Sequence, residues 1–345
     1  MAVRIGVVGA SGFTGGELVR LLLGHPTADL AFLGGRGSAG RRLGEVQPHL
    51  AASAAGDLPI EPVEDASGLD VAFLALPRGD SAAVAPRLLE AGTRVIDLGG
   101  DFRLAAEAYP TWYGFDHPAP AWLGKSVYGL PELFREQIRG AELVANPGCF
   151  PTPAVLGLAP LLRAGMIEGN RILIDGKTGL SGAGRSAGDA MSHAATEESV
   201  RPYRFPAHQH TPEIERTLAE ASGRPVGVSF VPHLVPAVRG VLTTAFAPAG
   251  EGVTTDTLVA VLAAAYEREP FVRVLPPGVM ADTKRVRGSN TAELQAAVDE
   301  RTGTAVVIGA VDNLVKGAAG QAVQNLNLMI GAEETTALPS VGMYP

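Results

Sequence analysis

Apolar residues fall in short runs separated by breaks of glycine and proline, and two periods alternate along the first half of the chain. Val3 to Val8 is a run rich in β-branched residues that ends in GASGFTG. The next stretch, GELVRLLLGHP, places Leu18, Leu21 and Leu22 at three- and four-residue spacing before Gly24 and Pro26. The first pattern predicts a buried strand, and the second a helix with one apolar face and a defined end. The alternation then repeats through LAFLG at 30–34, VAFLALP at 71–77, SAAVAPRLLEAG, TRVIDLGGDFR and a strand from Glu142 to Asn146. Strands alternating with helices in this way predict a parallel sheet covered by helices.

Beyond Cys149 the pattern changes. RILIDGK, VGVSFVPHLV, RGVLTTAFAPA and TAVVIGAVD read as strands, with helices around 212–222 and 255–268, which predicts an α+β domain with a mixed, largely antiparallel sheet. A closing helix from near Asn313 puts Val315, Ala318, Ala322, Leu326 and Met329 on one face; its small residues at 317–320 allow close approach to a sheet or a cofactor, and the helix is expected to pack back on the first domain. The 345 residues exceed what one core usually holds, so two domains are expected. Their predicted extents are 1–148 plus 313–345 for the nucleotide-binding domain and 149–312 for the catalytic and oligomerisation domain.

Composition narrows the partners. The chain is 46% hydrophobic and 19% charged, with a net charge of −8 and no dense basic run, which argues against nucleic acid. A single cysteine cannot form an intrachain disulfide and fits a reducing cytoplasm. The N-terminal apolar run is too short for a signal sequence or a membrane span, so no membrane partner is expected.

Chemistry concentrates at two turns. Gly9, Ala10, Ser11, Gly12, Phe13, Thr14 and Gly15 lie between the first strand and the first helix, where glycines let the backbone approach a pyrophosphate and a helix N-terminus attracts it. This makes the first domain a Rossmann-type, doubly wound sheet. The second strand is followed by GGRGSAGRR, so Arg36, Ser38, Arg41 and Arg42 stand where an NAD site would place an acid, and NADP is the expected cofactor. Leu76, Pro77 and Arg78, at the end of a strand, are expected to border the cofactor. Arg103 in GGDFR is a candidate anion clamp, with pairing to Asp101 as the alternative.

The second turn is NPGCFPTP. Thr152 is the expected N-cap and Pro153 the first residue of the helix after Cys149. A thiol at a strand-to-helix turn gains from the helix dipole, which lowers its pKa from about 8.5, and nearby N–H groups can hold an oxyanion. An acid–base partner is required, and histidine is the side chain that titrates near neutrality. His208 and His210 stand just ahead of a helix with Thr211 as expected N-cap and Pro212 at its first position, and spacing does not choose between them. His25 lies at a helix end, while His49, His117 and His193 lie in polar loops with no evident partner. No second Cys/His/Asp cluster supports a metal. The Gly- and Ser-rich loop TGLSGAGRSAGDA, with Arg185, is long enough to be functional, and Arg239 is a further carboxylate or phosphate ligand.

GASGFTGGELVRLLLGHP, ALPRGDS, IDLGGDFRL, YGLPEL, NPGCFPT, SGAGR, HQHTPEI, VPHLVPAVRG and DNLVKGAAGQAVQNLN together resemble the N-acetyl-γ-glutamyl-phosphate reductase family, in the family's order and over nearly the whole chain. The resemblance implies NADP(H)-dependent reduction of an acyl phosphate to N-acetyl-glutamate 5-semialdehyde through a cysteine thioester, in arginine biosynthesis. It implies the fold shared with aspartate-semialdehyde and glyceraldehyde-phosphate dehydrogenases, and a homotetramer or homodimer. It assigns Cys149 as nucleophile and His208 as acid and base. Ser181, Gly182 and Asn313 would join the cofactor site, and Arg103, Asn146, Arg185, His210 and Arg239 the substrate site. Two stretches depart from the family: Arg78 replaces a common histidine in ALPHG, and QPHLAAS replaces HPHLRG. The rival readings are an aminoadipyl-phosphate reductase of lysine synthesis, one methylene longer in substrate, and an NADP-binding redox sensor with a regulatory thiol.

Overall fold

A computed structural model of the chain describes residues 2–185, 188 and 192–345. It divides into two compact units, one of residues 1–147 and 318–338, the other of 148–317 and 339–345.

The first unit is built on a six-stranded parallel sheet in the order β2-β1-β3-β4-β6-β5. The strands are β1 (Val3–Val8), β2 (Ala28–Gly34), β3 (Val71–Leu74), β4 (Arg94–Asp97), β5 (Ser126–Tyr128) and β6 (Leu143–Ala145). β3 and β6 are buried along their whole length, as a sheet covered on both faces requires. Helices Phe13–Leu22, Asp80–Glu90, Pro131–Arg139 and Gly320–Met329 complete the unit. All ten residues of Gly320–Met329 are buried, including Gln321, Gln324, Asn325 and Asn327. Those amides satisfy backbone and side-chain groups around them: Asn325 Nδ2 donates to Gly129 O and Asn146 Oδ1, and Asn327 Oδ1 meets His25 Nε2 at 2.9 Å.

The second unit holds a seven-stranded mixed sheet, β11-β12-β13-β10-β7-β9-β8. Its strands are β7 (Ile172–Thr178), β8 (Arg201–Pro202), β9 (Val228–Leu234), β10 (Val241–Pro248), β11 (Val272–Val274), β12 (Ala292–Asp299) and β13 (Thr304–Val311). Helix Pro151–Arg163 lies on it: Gly309 leaves room for Pro153, and Gly157 for Val307. Tyr266 Oη donates to Leu156 O at 2.6 Å, tying helix Thr255–Tyr266 to the same layer. Strands β7 and β9 alternate buried and more exposed positions, with Leu173 of β7 and Phe246 of β10 exposed.

Several expectations change. The last seven residues belong to the second unit rather than the first, because Asn290 N–H donates to Pro339 O and Met343 N–H to Arg287 O, both at 2.7 Å. The closing helix begins at Gly320, after a π-helical turn over Val315–Ala319. His117 is buried and bonded to Asp101 O at 2.7 Å, so it is not a loop histidine without a partner; His25, at its helix end, is buried as well.

The GGDFR turn is organised by two buried carboxylates. Asp97 accepts the N–H groups of Gly99, Gly100 and Asp101. Asp101 accepts those of Gly79 at 2.9 Å and Ala82 at 3.0 Å, which caps helix Asp80–Glu90. Burial, and then the neighbouring Asp97, push the Asp101 carboxyl up from 3.8 to about 6. A carboxyl raised on folding contributes stability in its protonated form, which is fully present below 3.8 and lost as pH rises through about 6. Denaturant melts between pH 4 and 6.5 should therefore show a fall in stability with rising pH that is shallower in Asp101→Asn, whose Oδ1 still accepts from Gly79. An identical slope in both proteins would mean that this carboxyl does not carry the dependence.

Candidate active site

The dinucleotide turn follows directly from β1. Gly9 has φ of 100°, and a Cβ there would run into Ala75 O beyond β3. A Cβ on Gly15 would strike the backbone of Gly9 and Ala10, so these two glycines are required by close approach of main chain to main chain. Gly12 is different: its nearest neighbour would be Gly9 O at 3.5 Å, and it stands extended at the N-cap of helix Phe13–Leu22. Ser11 and Thr14 are half-buried, and Phe13 is exposed.

Around the turn, Ser38 is buried and its hydroxyl has no hydrogen-bond partner among the described atoms. Arg36 pairs with Asp80 at 2.8 Å, while Arg42 pairs with Asp57 at 2.7 Å and Arg41 with Glu45 at 3.5 Å. The expected basic cluster is thus divided, and Arg36 and Ser38 remain as the polar groups nearest the end of β2. Leu76 is half-buried, Pro77 and Arg78 exposed.

In the second unit Cys149 is half-buried and lies two residues ahead of helix Pro151–Arg163. The helix is capped by the backbone of Phe150, without a side-chain cap. Thr152 is therefore not the N-cap; it is helical, and its hydroxyl donates to Gly148 O at 3.0 Å. Gly148 is the residue that fixes the turn. Its N–H donates to Glu213 Oε1 at 2.8 Å, and a Cβ on it would overlap the ring of His210. On the other side Gly317, in the π-helical turn, leaves 2.9 Å between its own would-be Cβ and that of Cys149. π-Turns of this kind recur at functional sites.

His208 and His210 pack together, ring centroids 4.7 Å apart, and both lie edge-on to Phe150, the residue after the thiol, at 6.1 and 6.0 Å. Both are buried. His210 N–H donates to His208 Nδ1 at 3.1 Å, so the neutral His208 ring keeps its proton on Nε2. Helix His210–Ser222 begins with Gln209 as cap, not with Thr211, which is helical and donates its N–H to His208 O.

Tyr203 completes the cluster. Its ring is 5.4 Å from that of His208, and burial followed by the charge of Cys149 pushes its phenol above the usual tyrosine range. Sequence reasoning missed Glu213 and Tyr203, and it read Gly317 only as a small residue permitting close packing, without the contact to Cys149. Glu213 follows His210 by three residues, the spacing that puts two side chains on one helix face, and that was its only signal.

Among the remaining expected residues, Ser181, Gly182, Asn313 and Arg239 are brought together. Asn313 donates to Ser181 Oγ at 2.9 Å and accepts from Gly240 N–H at 2.8 Å, while Arg239 Nη1 stands 3.4 Å from Asp312 Oδ2. Arg185 is exposed, and residues 186–187 and 189–191 of its loop lie outside the described residues. In the first unit Arg103 is buried, donating to Asn146 O at 2.7 Å and to Leu98 O at 3.1 Å. Asn146 is fully buried; its amide donates to Ala318 O and accepts from Asn325, so its side chain braces the fold. Among the described residues no group of three His, Cys, Asp or Glu side chains is placed to hold a metal ion, and no helix is long and apolar enough to cross a membrane.

Comparison with known proteins matches residues 4–141 to the semialdehyde dehydrogenase NAD binding domain and residues 149–313 to the semialdehyde dehydrogenase dimerisation domain. The N-acetyl-gamma-glutamyl-phosphate reductase of Symbiobacterium thermophilum is 48% identical over 350 residues, covering 100% of both chains. That of Desulforudis audaxviator is 47% identical, covering 99% of this chain and 100% of its own. Among solved structures, aspartate semialdehyde dehydrogenase II of Vibrio cholerae superposes with a TM-score of 0.75 at 17% identity, covering 96% of this chain and 99% of that one. The Candida albicans aspartate semialdehyde dehydrogenase solved with NADP gives 0.72 at 16% identity, with the same coverages.

The two glycines of contrasting surroundings offer a direct check on the packing. Gly148→Ala should lower the unfolding free energy by about 1–3 kcal/mol, because the added methyl must displace a buried ring. Gly12→Ala should cost less, about 1 kcal/mol or under, the difference between glycine and alanine at an N-cap with open space around the added methyl. Equal losses in thermal or denaturant melts would contradict the packing described at Gly148.

Proposed function

Because the chain belongs to the N-acetyl-gamma-glutamyl-phosphate reductase family of semialdehyde dehydrogenases, we propose that it reduces N-acetyl-γ-glutamyl phosphate to N-acetyl-glutamate 5-semialdehyde and phosphate, as an oxidoreductase of arginine biosynthesis. The observation that carries this reading is the placement of the single cysteine at the start of a buried helix, with a histidine pair packed around the same turn.

The chain's own residues divide the reaction as follows. The Cys149 sulfur attacks the acyl carbon as a thiolate, a charge favoured by the N-terminal end of helix Pro151–Arg163, and phosphate leaves with the electrons of the broken C–O bond. The dinucleotide supplies the hydride that reduces the resulting thioester. The oxygen of the thiohemiacetal then carries negative charge, and His208, whose proton is held on Nε2 by the His210 N–H, is the donor suited to it. Collapse breaks the C–S bond, releases the aldehyde and restores the thiolate.

The cofactor is NADP. Gly9 and Gly15 let the turn close on itself, and Gly12, at the N-cap of helix Phe13–Leu22 with no protein atom crowding its Cβ position, leaves main chain open to a pyrophosphate. Arg36 and the unsatisfied Ser38 hydroxyl supply a charge and a donor for a 2′-phosphate. The enzyme works in the cytoplasm as a homodimer or homotetramer assembled through residues 149–312, whose sheet exposes Leu173 and Phe246.

The reverse reaction tests the proposal: N-acetyl-glutamate semialdehyde, phosphate and NADP⁺ should yield NADPH, read by its absorbance. Cys149→Ser should remove turnover, and His208→Asn should lower kcat by roughly 10²–10⁴-fold. No turnover in the wild type rejects the reductase, and turnover surviving Cys149→Ser rejects the covalent route. The aldehyde one methylene longer, run in parallel, should be the poorer substrate; if it is the better one, the chain is an aminoadipyl-phosphate reductase. Arg36→Ala should weaken NADP⁺ while leaving NAD⁺ unchanged, and an equal effect on both would remove Arg36 from the 2′-phosphate.

A further inference from the structure

Gln47 lies 32 residues beyond the dinucleotide turn in sequence, in the stretch QPHLAAS that departs from the family pattern. In the fold it is buried, and its side chain reaches back to the turn. Nε2 donates to Ala10 O at 3.0 Å and to Gly12 O at 2.8 Å. Gly16 makes room for it: a Cβ there would come within 2.7 Å of Nε2 and 2.8 Å of Cδ. That contact accounts for the second glycine of the Gly15-Gly16 pair, which the spacing of a dinucleotide motif leaves unexplained.

In a trans peptide the carbonyl and the N–H of the next residue point in opposite directions. Holding Ala10 O and Gly12 O toward Gln47 therefore aims the N–H groups of Ser11 and Phe13 the other way, out of the turn, where Ser11 is half-buried and Phe13 exposed. From this geometry we infer that Gln47 is a positioning residue for the dinucleotide: one amide pins two carbonyls of the turn and so presets the N–H groups that meet the pyrophosphate. The ligand class is any dinucleotide sharing that pyrophosphate, and the inference rests on the cofactor reading given above.

Binding of NADPH and of NADH to the apo protein, followed by nicotinamide fluorescence or calorimetry, tests it. Gln47→Glu keeps the shape but sets a carboxylate against two carbonyls, and Gln47→Leu removes the donor. Both should raise the dissociation constant about tenfold or more, the cost of at least one net hydrogen bond. The factor should be the same for NADPH and NADH, since the pyrophosphate is common to both, and in turnover the effect should fall on KM for NADPH more than on kcat. Gly16→Ala, which crowds the same amide without removing it, should weaken both dinucleotides in the same way and serves if the Gln47 variants do not fold. A lowered melting temperature with unchanged dissociation constants overturns the inference and leaves Gln47 a core residue. Failure of the wild type to bind either dinucleotide refutes the cofactor reading itself, a separate result.

Discussion

The second unit's chemistry depends on the absence of a side chain at position 148. With only hydrogen on its Cα, Gly148 lets the His210 ring lie directly against the main chain just ahead of Cys149, and its N–H is held by the buried Glu213 carboxylate. Glu213 and His210 are one turn apart on helix His210–Ser222. The start of helix Pro151–Arg163 and the start of helix His210–Ser222 are thereby locked together by one hydrogen bond and one close contact. His208 inherits its position from the same helix, through the N–H of His210. A side chain at 148 would disturb the thiol and both histidines together.

The first unit uses glycine for another purpose. There Gly9 and Gly15 let one stretch of main chain approach another, and Gly16 admits the Gln47 amide. The turn's backbone is thus shaped from inside, by carbonyls pulled toward Gln47, and a charged ligand is met by N–H groups already oriented. Preorganisation of this kind reduces what binding must spend on ordering the site. Buried side chains shape two further turns: Asp97 accepts the backbone N–H groups of the GGDFR turn, and Asp101 those at the start of helix Asp80–Glu90, groups that would otherwise be left unmet.

What the sequence disclosed follows from how local each signal is. β1, the glycine turn and helix Phe13–Leu22 were legible because a short apolar run, a turn and a helical face are adjacent in the chain. β5, three residues long, carries no periodicity and went unread. The caps at Thr152 and Thr211 were misplaced because a threonine before an apolar helix is a cap by rule, whereas here main-chain carbonyls of Phe150 and His208 accept at the first turn and the threonines are already helical. Asn146 stands three residues before the cysteine, which makes it a site candidate by nearness alone. Its side-chain partners in the fold, Ala318 and Asn325, are more than 170 residues away and give no local sign. Glu213 and Gln47 escaped for the same reason: a buried polar residue declares itself only through partners brought near by folding.

The pair of histidines illustrates why geometry must settle what spacing cannot. His208 and His210 are alternate residues entering a helix, equal in type and both buried. The donor–acceptor relation between them breaks the tie. Because His208 Nδ1 accepts a backbone N–H, a second proton on that ring would face a donor and lose this bond, so the ring is suited to remain neutral and to offer Nε2–H. A histidine held in this form is better matched to offering an Nε2–H hydrogen bond to a developing oxyanion than to forming a lasting imidazolium–thiolate pair. The negative charge on sulfur is then left to the end of helix Pro151–Arg163, where a backbone dipole favours it without any change in protonation. The oxyanion's hydrogen-bond donor and the nucleophile are in this way supported by different parts of the structure, the ring by a backbone N–H and the sulfur by a helix end.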